Sequence, residues 1–432
     1  MGNPEMIRQS IHRLKALRQD RLLSSSLYLM LSMAAVSLAG FVFWIIVARM
    51  FDTETVGLAT TLLSMSMFVS LFGLIGFDTI FARFFARADN RNELINTGLL
   101  VNAIITGLLS VAFCMIVPFI SPSIAFVAES PLTIAAFAVF TIFTAWNTLT
   151  TAILVANHNS RPVLIINIVF SLAKLVLPFV IGGDDPMVIF IIVGIAQVIN
   201  VVLSMWVIIA KTGYRPSFKV SGNVLKQTYR YGFATYVASL LNLAPDSLLP
   251  LIVVNEIGPS AAAYFYIAFT IASLLYTIAF STVQAIMAEA THDEENMMLH
   301  LKRGIKIVMA ITIPAIFAII IVAPFVLSAF GPGYRDGSYL LVCLLSVSGI
   351  AVSLYAAIGA YFKLTKNLFF LLVAPIVNAI GVIVLCWLLA KPYGLLGVGW
   401  GWLIGSFLAV FAGGIMVVIH RSHVARKERQ AS

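Results

Sequence analysis

A single carboxylate stands deep inside an apolar run: Asp246, in Asn242-Leu243-Ala244-Pro245-Asp246-Ser247. A carboxylate so placed is costly and by default functional, able to bind and release a proton or hold Na⁺. Asn242, one helical turn earlier, brings an amide to the same helix face. Lys174 also falls inside an apolar run, where its ammonium can meet an anion or pair with Asp246. Arg83 and Arg87 are spaced i, i+4 and share a helical face. With Arg161 they present guanidiniums matched to the oxygens of a diphosphate. Tyr266, Tyr276 and Gln284 lie in a run rich in hydroxyls and can hydrogen-bond sugar hydroxyls. Each group also has a plainer use: a paired structural acid, a snorkelling lysine, topology anchors, helix-packing polar groups.

The elements that must position these residues are membrane-crossing helices. A helix needs about 20 mostly apolar residues to cross about 30 Å of hydrocarbon. Twelve runs qualify: 27–49, 56–76, 95–120, 132–156, 162–182, 187–210, 231–254, 260–286, 305–329, 338–361, 367–390 and 395–419. The chain of 432 residues is 61% hydrophobic and 10% charged, with a mean hydropathy of +1.01. Helices satisfy their own backbone polar groups in lipid, so the expected class is an all-α polytopic membrane protein. Asp246 falls about 5 Å from the centre of the seventh run at ~1.5 Å per residue. Pro245 and Pro250 loosen the backbone ladder beside it.

The basic balance follows from topology. With the N-terminus in the cytoplasm, 23 Lys and Arg fall at inner ends and 3 (Arg49, Arg335, Lys391) at outer ends. That asymmetry is the positive-inside pattern and places both termini in the cytoplasm. It also accounts for the net charge of +9, leaving no basic soluble face for nucleic acid. Residues 6–22 read as a basic interfacial helix, and no cleavable signal peptide is expected. Cys114, Cys343 and Cys386 lie in spans and read as packing residues.

The runs divide six and six. Residues 1–24 form a basic cytoplasmic segment, 25–210 one six-helix bundle, 211–230 a basic linker, 231–420 a second bundle and 421–432 a tail. The stretch Val47-Ala48-Arg49-Met50-Phe51-Asp52 through Ala59 aligns with Val253-Val254-Asn255-Glu256-Ile257-Gly258 through Phe265. An even span count per half gives both halves the same orientation, with a substrate site between them near the midplane.

Some chemistries are missing. No G-x-x-x-x-G-K-[ST] phosphate loop is present, no His/Cys group has metal-ligand spacing, and no carboxylate pair sits on a large outer loop. The chain is expected not to be an enzyme and to need no cofactor. A polytopic glycosyltransferase or polymerase is the weakest reading.

Several features together resemble a known family. The 6+6 spans, Val47-Ala48-Arg49-Met50-Phe51 leading into Val56-Gly57, Gly73-Leu74-Ile75-Gly76-Phe77-Asp78 with Arg83, and Gly331-Pro332-Gly333-Tyr334 are similar to the polysaccharide transporters. These are the Wzx-type lipid-linked oligosaccharide flippases of the MOP exporter superfamily. The resemblance implies two parallel-oriented six-helix bundles around a central cavity, alternating access and a plasma-membrane location. It implies a sugar on a polyprenyl diphosphate or phosphate as cargo, with membrane lipids and other polysaccharide-assembly proteins as partners. H⁺ or Na⁺ are the candidate coupling ions. Multidrug exporters of the same superfamily are similar in fold, which keeps a cation-coupled exporter as the alternative. Several of those carry an acid in the first span, and 27–49 has none.

Overall fold

The computed structural model describes residues 21–85, 88, 90–157, 160–290, 297–365 and 367–431. The N-terminal segment before Arg21 and Arg87 lie outside the described residues, as does the side chain of Gln284. In chain order the helices are α1 (Arg21–Met50), α2 (Thr53–Leu74), α3 (Phe77–Phe84), α4 (Arg91–Ile120), α5 (Pro131–Ala156), α6 (Ser160–Val180) and α7 (Pro186–Thr212). They continue with α8 (Gly222–Glu256), α9 (Pro259–Ala290), α10 (Met297–Phe330), α11 (Tyr334–Leu364) and α12 (Leu368–Ala431).

Among the described residues, eleven of these are long and apolar enough to cross a membrane. The last carries two of the twelve expected spans. Its 64 residues would reach about 96 Å as one straight helix, some three bilayer cores. The helix breaks at Gly394, whose φ of 58° and ψ of −145° are not helical. The arms 368–393 and 395–431 fold back on each other as an antiparallel hairpin. A Cβ at Gly401 would lie 2.6 Å from the Cys386 nitrogen, and one at Gly405 would lie 2.7 Å from the Val382 Cα. A Cβ at Gly397 would overlap the Leu389 carbonyl. Gly397, Gly401 and Gly405, four residues apart, thus form a flat stripe on which the first arm lies backbone to backbone. The Cys386 thiol points to the Val398 carbonyl at 3.3 Å, which agrees with its reading as a packing residue.

The second expected span ends earlier than hydropathy suggests. Ile75 (φ 48°) and Gly76 (φ 82°) are both left-handed and break the helix after Leu74. A β-branched residue there is strained, so this corner is held by its surroundings. The short helix α3 that follows is separate and amphipathic. Phe77 and Phe81 fill the space left by Gly98 of α4, where a Cβ would lie 3.0 Å from the Phe77 ring.

The chain forms two compact units. The first comprises residues through 47, 69–117 and 126–233. Its interior is aromatic, with Phe137 stacked between Phe113 (5.1 Å) and Phe190 (5.6 Å). A polar ladder with buried ends crosses it: Asn200 donates to the half-buried Asn167 (3.0 Å), which donates to Ser32 (2.7 Å). The linker after α7 is pinned here. Asn96 of α4 accepts from the Tyr214 hydroxyl (2.6 Å) and the Ser217 N–H (3.0 Å), and donates to the Ser217 Oγ (3.0 Å). Burial pushes the Tyr214 phenol above its ordinary range.

The second unit comprises 48–68, 118–125 and 234–432. Here α9, α10, α11 and α12 pack around Val283, Val308, Ala360 and Phe362. The residues aligned from the two halves meet in this unit. Thr53 bonds Ser260 at 3.2 Å, and a Cβ at Gly57 would overlap the Pro259 carbonyl.

Candidate functional site

Asp246 is built into a cavity of the second unit. The span that carries it runs Tyr236–Glu256, with Asp246 at its midpoint. A cavity of about 250 Å³ is lined by Asn242, Asp246, Ser273, Tyr276, Tyr355, Asn378, Trp402 and Ser406, among others. Three sequence candidates, Asp246, Asn242 and Tyr276, therefore share one site. Tyr355, Asn378, Trp402 and Ser406 join them from α11 and α12. Of these, Asn378 carried a signal in the sequence, an amide within an apolar span.

Hydrogen bonds fix this lining. The Tyr355 hydroxyl donates to the Asn242 Oδ1 at 2.8 Å, and the Asn242 Nδ2 donates to the Ala238 carbonyl at 2.7 Å. The Tyr276 hydroxyl reaches the Leu345 carbonyl at 2.6 Å and Ser348 at 2.7 Å. Its ring stacks on Trp402 with 4° between the planes and 6.2 Å between centroids. A second cavity of about 290 Å³ shares Asn242, Leu243, Phe280 and Tyr355 with the first. It continues to Lys363, Phe370 and Met287. A carboxylate, two amides and several hydroxyls around one small space can hold a cation or exchange a proton.

Three aliphatic hydroxyls of α9 bond their own helix. Thr270 donates to the Tyr266 carbonyl (2.8 Å), Ser273 to Thr270 (2.8 Å) and Thr277 to Ser273 (2.9 Å). Their lone pairs stay able to accept from a ligand. Tyr266 is half-buried on the same helix.

The basic candidates lie in the first unit. Arg83 is exposed on α3, its guanidinium 5.7 Å from the Phe84 ring centroid. Arg91 similarly lies 5.5 Å from Phe85. Asp78, on the same short helix, has its carboxyl raised above the usual range by burial, against hydrogen bonds from Thr79. Arg161 is exposed in the first turn of α6. Lys174, farther along α6, has its ammonium 4.4 Å from the Phe43 ring, 5.9 Å from Phe170 and 6.0 Å from Trp44. Desolvated cation–π contacts of this kind are worth about 2 kcal/mol or more and help hold a lysine inside a span.

Three bonds at helix ends, made by Arg49 and Asn255, had no sequence signal. The Arg49 Nε donates to the Ala329 carbonyl at the end of α10, 2.7 Å away. The Asn255 Nδ2 donates to the Ile120 carbonyl at the end of α4, 3.1 Å away, and its Oδ1 accepts from Ser121 at 2.5 Å. Arg49 and Asn255 are aligned positions of the two halves. One ties the first span to the ninth, the other the seventh to the third.

No curated protein matches the chain in sequence. Solved structures do match its fold. A multidrug resistance MATE family transporter of the MOP superfamily, inward-facing, superposes with a TM-score of 0.71 at 16% identity, covering 93% of this chain and 99% of that one. The outward-facing form of such a transporter gives 0.63 at 18%, covering 95% and 98%. The lipid II flippase MurJ, inward closed, gives 0.68 at 15%, covering 90% and 87%. This is a polytopic all-α membrane fold, as the hydropathy pattern led one to expect. In sequence, residues 46–338 match the profile of the polysaccharide biosynthesis protein family. That match spans well over half of the chain, and the chain belongs to the polysaccharide biosynthesis protein family.

Proposed function

We propose that the chain is a transporter, not an enzyme, that flips a lipid-linked oligosaccharide from the cytoplasmic to the outer leaflet by alternating access. One conjunction carries this reading: a polysaccharide-biosynthesis sequence on a fold similar to that of a lipid II flippase. Glycans assembled on a lipid in the inner leaflet must cross the bilayer, and a multi-pass helical protein of this fold is suited to carrying them. The working units are two six-span bundles, 25–210 and 231–420, joined by 211–230. Both termini face the cytoplasm of a plasma membrane. Membrane lipids contact the spans, and other polysaccharide-assembly proteins supply and consume the cargo.

Arg83, Arg87, Arg161 and Lys174 are the proposed diphosphate contacts, since guanidiniums match phosphate oxygens and an ammonium adds a point charge. Tyr266, Tyr276 and Gln284 are the proposed sugar contacts. Asp246 and Asn242 are the proposed coupling site for H⁺ or Na⁺, supported by the cavity they share with Asn378 and Ser406.

The second reading is a cation-coupled exporter of small amphipathic molecules. The fold similarity to multidrug transporters and the small cavity around Asp246 favour it. Purified protein in liposomes separates the two. The flippase reading expects movement of a polyprenyl-diphosphate oligosaccharide and no gradient-driven accumulation of lipophilic cation dyes. Dye transport without glycolipid movement would replace it with the exporter reading.

A further inference from the structure

We infer that the segment between α7 and α8 is a built docking surface for the anionic headgroups of the inner leaflet, with Phe218 inserted among the lipids. Phe218 is 95% exposed, more than any other large apolar side chain among the described residues, and Val220 beside it is 46% exposed. Arg215 precedes them, Lys219 lies between them, and both are exposed as well.

Exposure alone would be ordinary, but this segment is held in place. Tyr214 and Ser217 are fixed to Asn96, the Arg215 N–H points to the Asn92 Oδ1 (3.4 Å), and the Ser221 N–H donates to the Thr97 Oγ1 (3.0 Å). Every one of these anchors lies in the first two turns of α4. The protein therefore fixes both ends of the segment and leaves its aromatic and basic residues outward.

The anchor also sets the height. From Asn96 to Ile120 a helix rises about 36 Å, slightly more than the ~30 Å hydrocarbon core. Asn96 thus stands just outside the inner boundary, at headgroup level, and the segment tied to it stands there too. Aromatic side chains favour that depth, and Lys and Arg there are attracted to anionic lipid. Phe84 on α3, 39% exposed next to Arg83, repeats the pairing of an aromatic with a cation. The inference rests on the cytoplasmic placement of this linker in the proposed topology.

The test uses full-length protein in nanodiscs. Phe218→Cys is labelled with NBD in a chain whose Cys114, Cys343 and Cys386 are replaced by Ala. The expected result is a blue-shifted emission, quenched by headgroup-proximal doxyl lipid and shielded from aqueous iodide. The shielding should be greater with phosphatidylglycerol than with phosphatidylcholine alone, and Arg215→Gln with Lys219→Gln should remove that difference. Iodide quenching equal to that of free dye in both lipids would overturn the inference and leave a soluble protein as the occupant. A second measurement keeps the native cysteines and Phe218. Native mass spectrometry should show fewer retained phosphatidylglycerol molecules for Arg215→Gln/Lys219→Gln than for wild type, and equal retention would overturn the charge contribution. A segment reached only by outside reagents would refute the topology, independently of whether the label is inserted.

Discussion

Removing the side chains that tie these helix ends together, which face outward in the proposed topology, should expose residues beneath them. Asn255→Ala deletes the bonds to the Ile120 carbonyl (3.1 Å) and from Ser121 (2.5 Å). At about 1 kcal/mol net for each, the closed arrangement loses about 2 kcal/mol. Arg49→Ala removes the bond to Ala329 (2.7 Å), worth about 1 kcal/mol once its exposure is discounted. With 1.4 kcal/mol per tenfold, the single Asn255 variant should raise the open population about 30-fold and the double variant on the order of 100-fold. Thr61 is the reporter, fully buried and about 12 Å in from the start of α2 at 1.5 Å per residue. Thr61→Cys should react with an impermeant maleimide from the outside faster by those factors, while the open state stays a minority. The parent chain, with Cys114 and Cys386 buried, gives the background. A rate unchanged in the double variant would refute the reasoning that these bonds hold the helix ends closed over Thr61.

Three further outcomes are expected. Asp246→Asn should keep the thermal stability of the protein and lose gradient-driven transport; full transport that still depends on pH or Na⁺ would remove Asp246 from coupling. Arg83→Lys should lower transport about tenfold or more, because the charge stays while the bidentate fork worth about 1.5–3 kcal/mol is lost, and unchanged transport would assign Arg83 to topology alone. Gly401→Ala should destabilise the protein by about 1–3 kcal/mol, since its Cβ would press on the Cys386 backbone, whereas Gly414→Ala, with nothing within 4 Å, should melt no lower than wild type.

The spans were legible in the sequence because lipid imposes a length and forbids unsatisfied backbone, so hydropathy alone marks them. The hairpin of α12 was legible as two runs, although its cause, Gly394 and the stripe Gly397, Gly401 and Gly405, emerged only with the backbone. The break at Ile75 was not legible, because a β-branched residue is among the last expected at positive φ. Asp246 announced itself by its cost in an apolar run. Asn378 carried a weaker signal as an amide in an apolar span, and Tyr355 and Trp402 carried none, being ordinary span residues brought to Asp246 from more than 100 positions away. The Arg49 Nε and the Asn255 Nδ2 donate to backbone carbonyls, which every residue carries, so no side-chain pattern pointed to those partners. The alignment puts Arg49 and Asn255 at equivalent positions, and each donates to a backbone carbonyl at a helix end.

The most direct measurement is one-sided glycan accessibility. A polyprenyl-diphosphate oligosaccharide is loaded into one leaflet of proteoliposomes, and its exposure to an impermeant glycan oxidant on the opposite side is followed over time. The account expects protein-dependent appearance of the glycan, lost in Asp246→Asn and slowed in Arg83→Lys. Transfer equal to that of protein-free liposomes, from a protein shown to be folded and inserted, would contradict it.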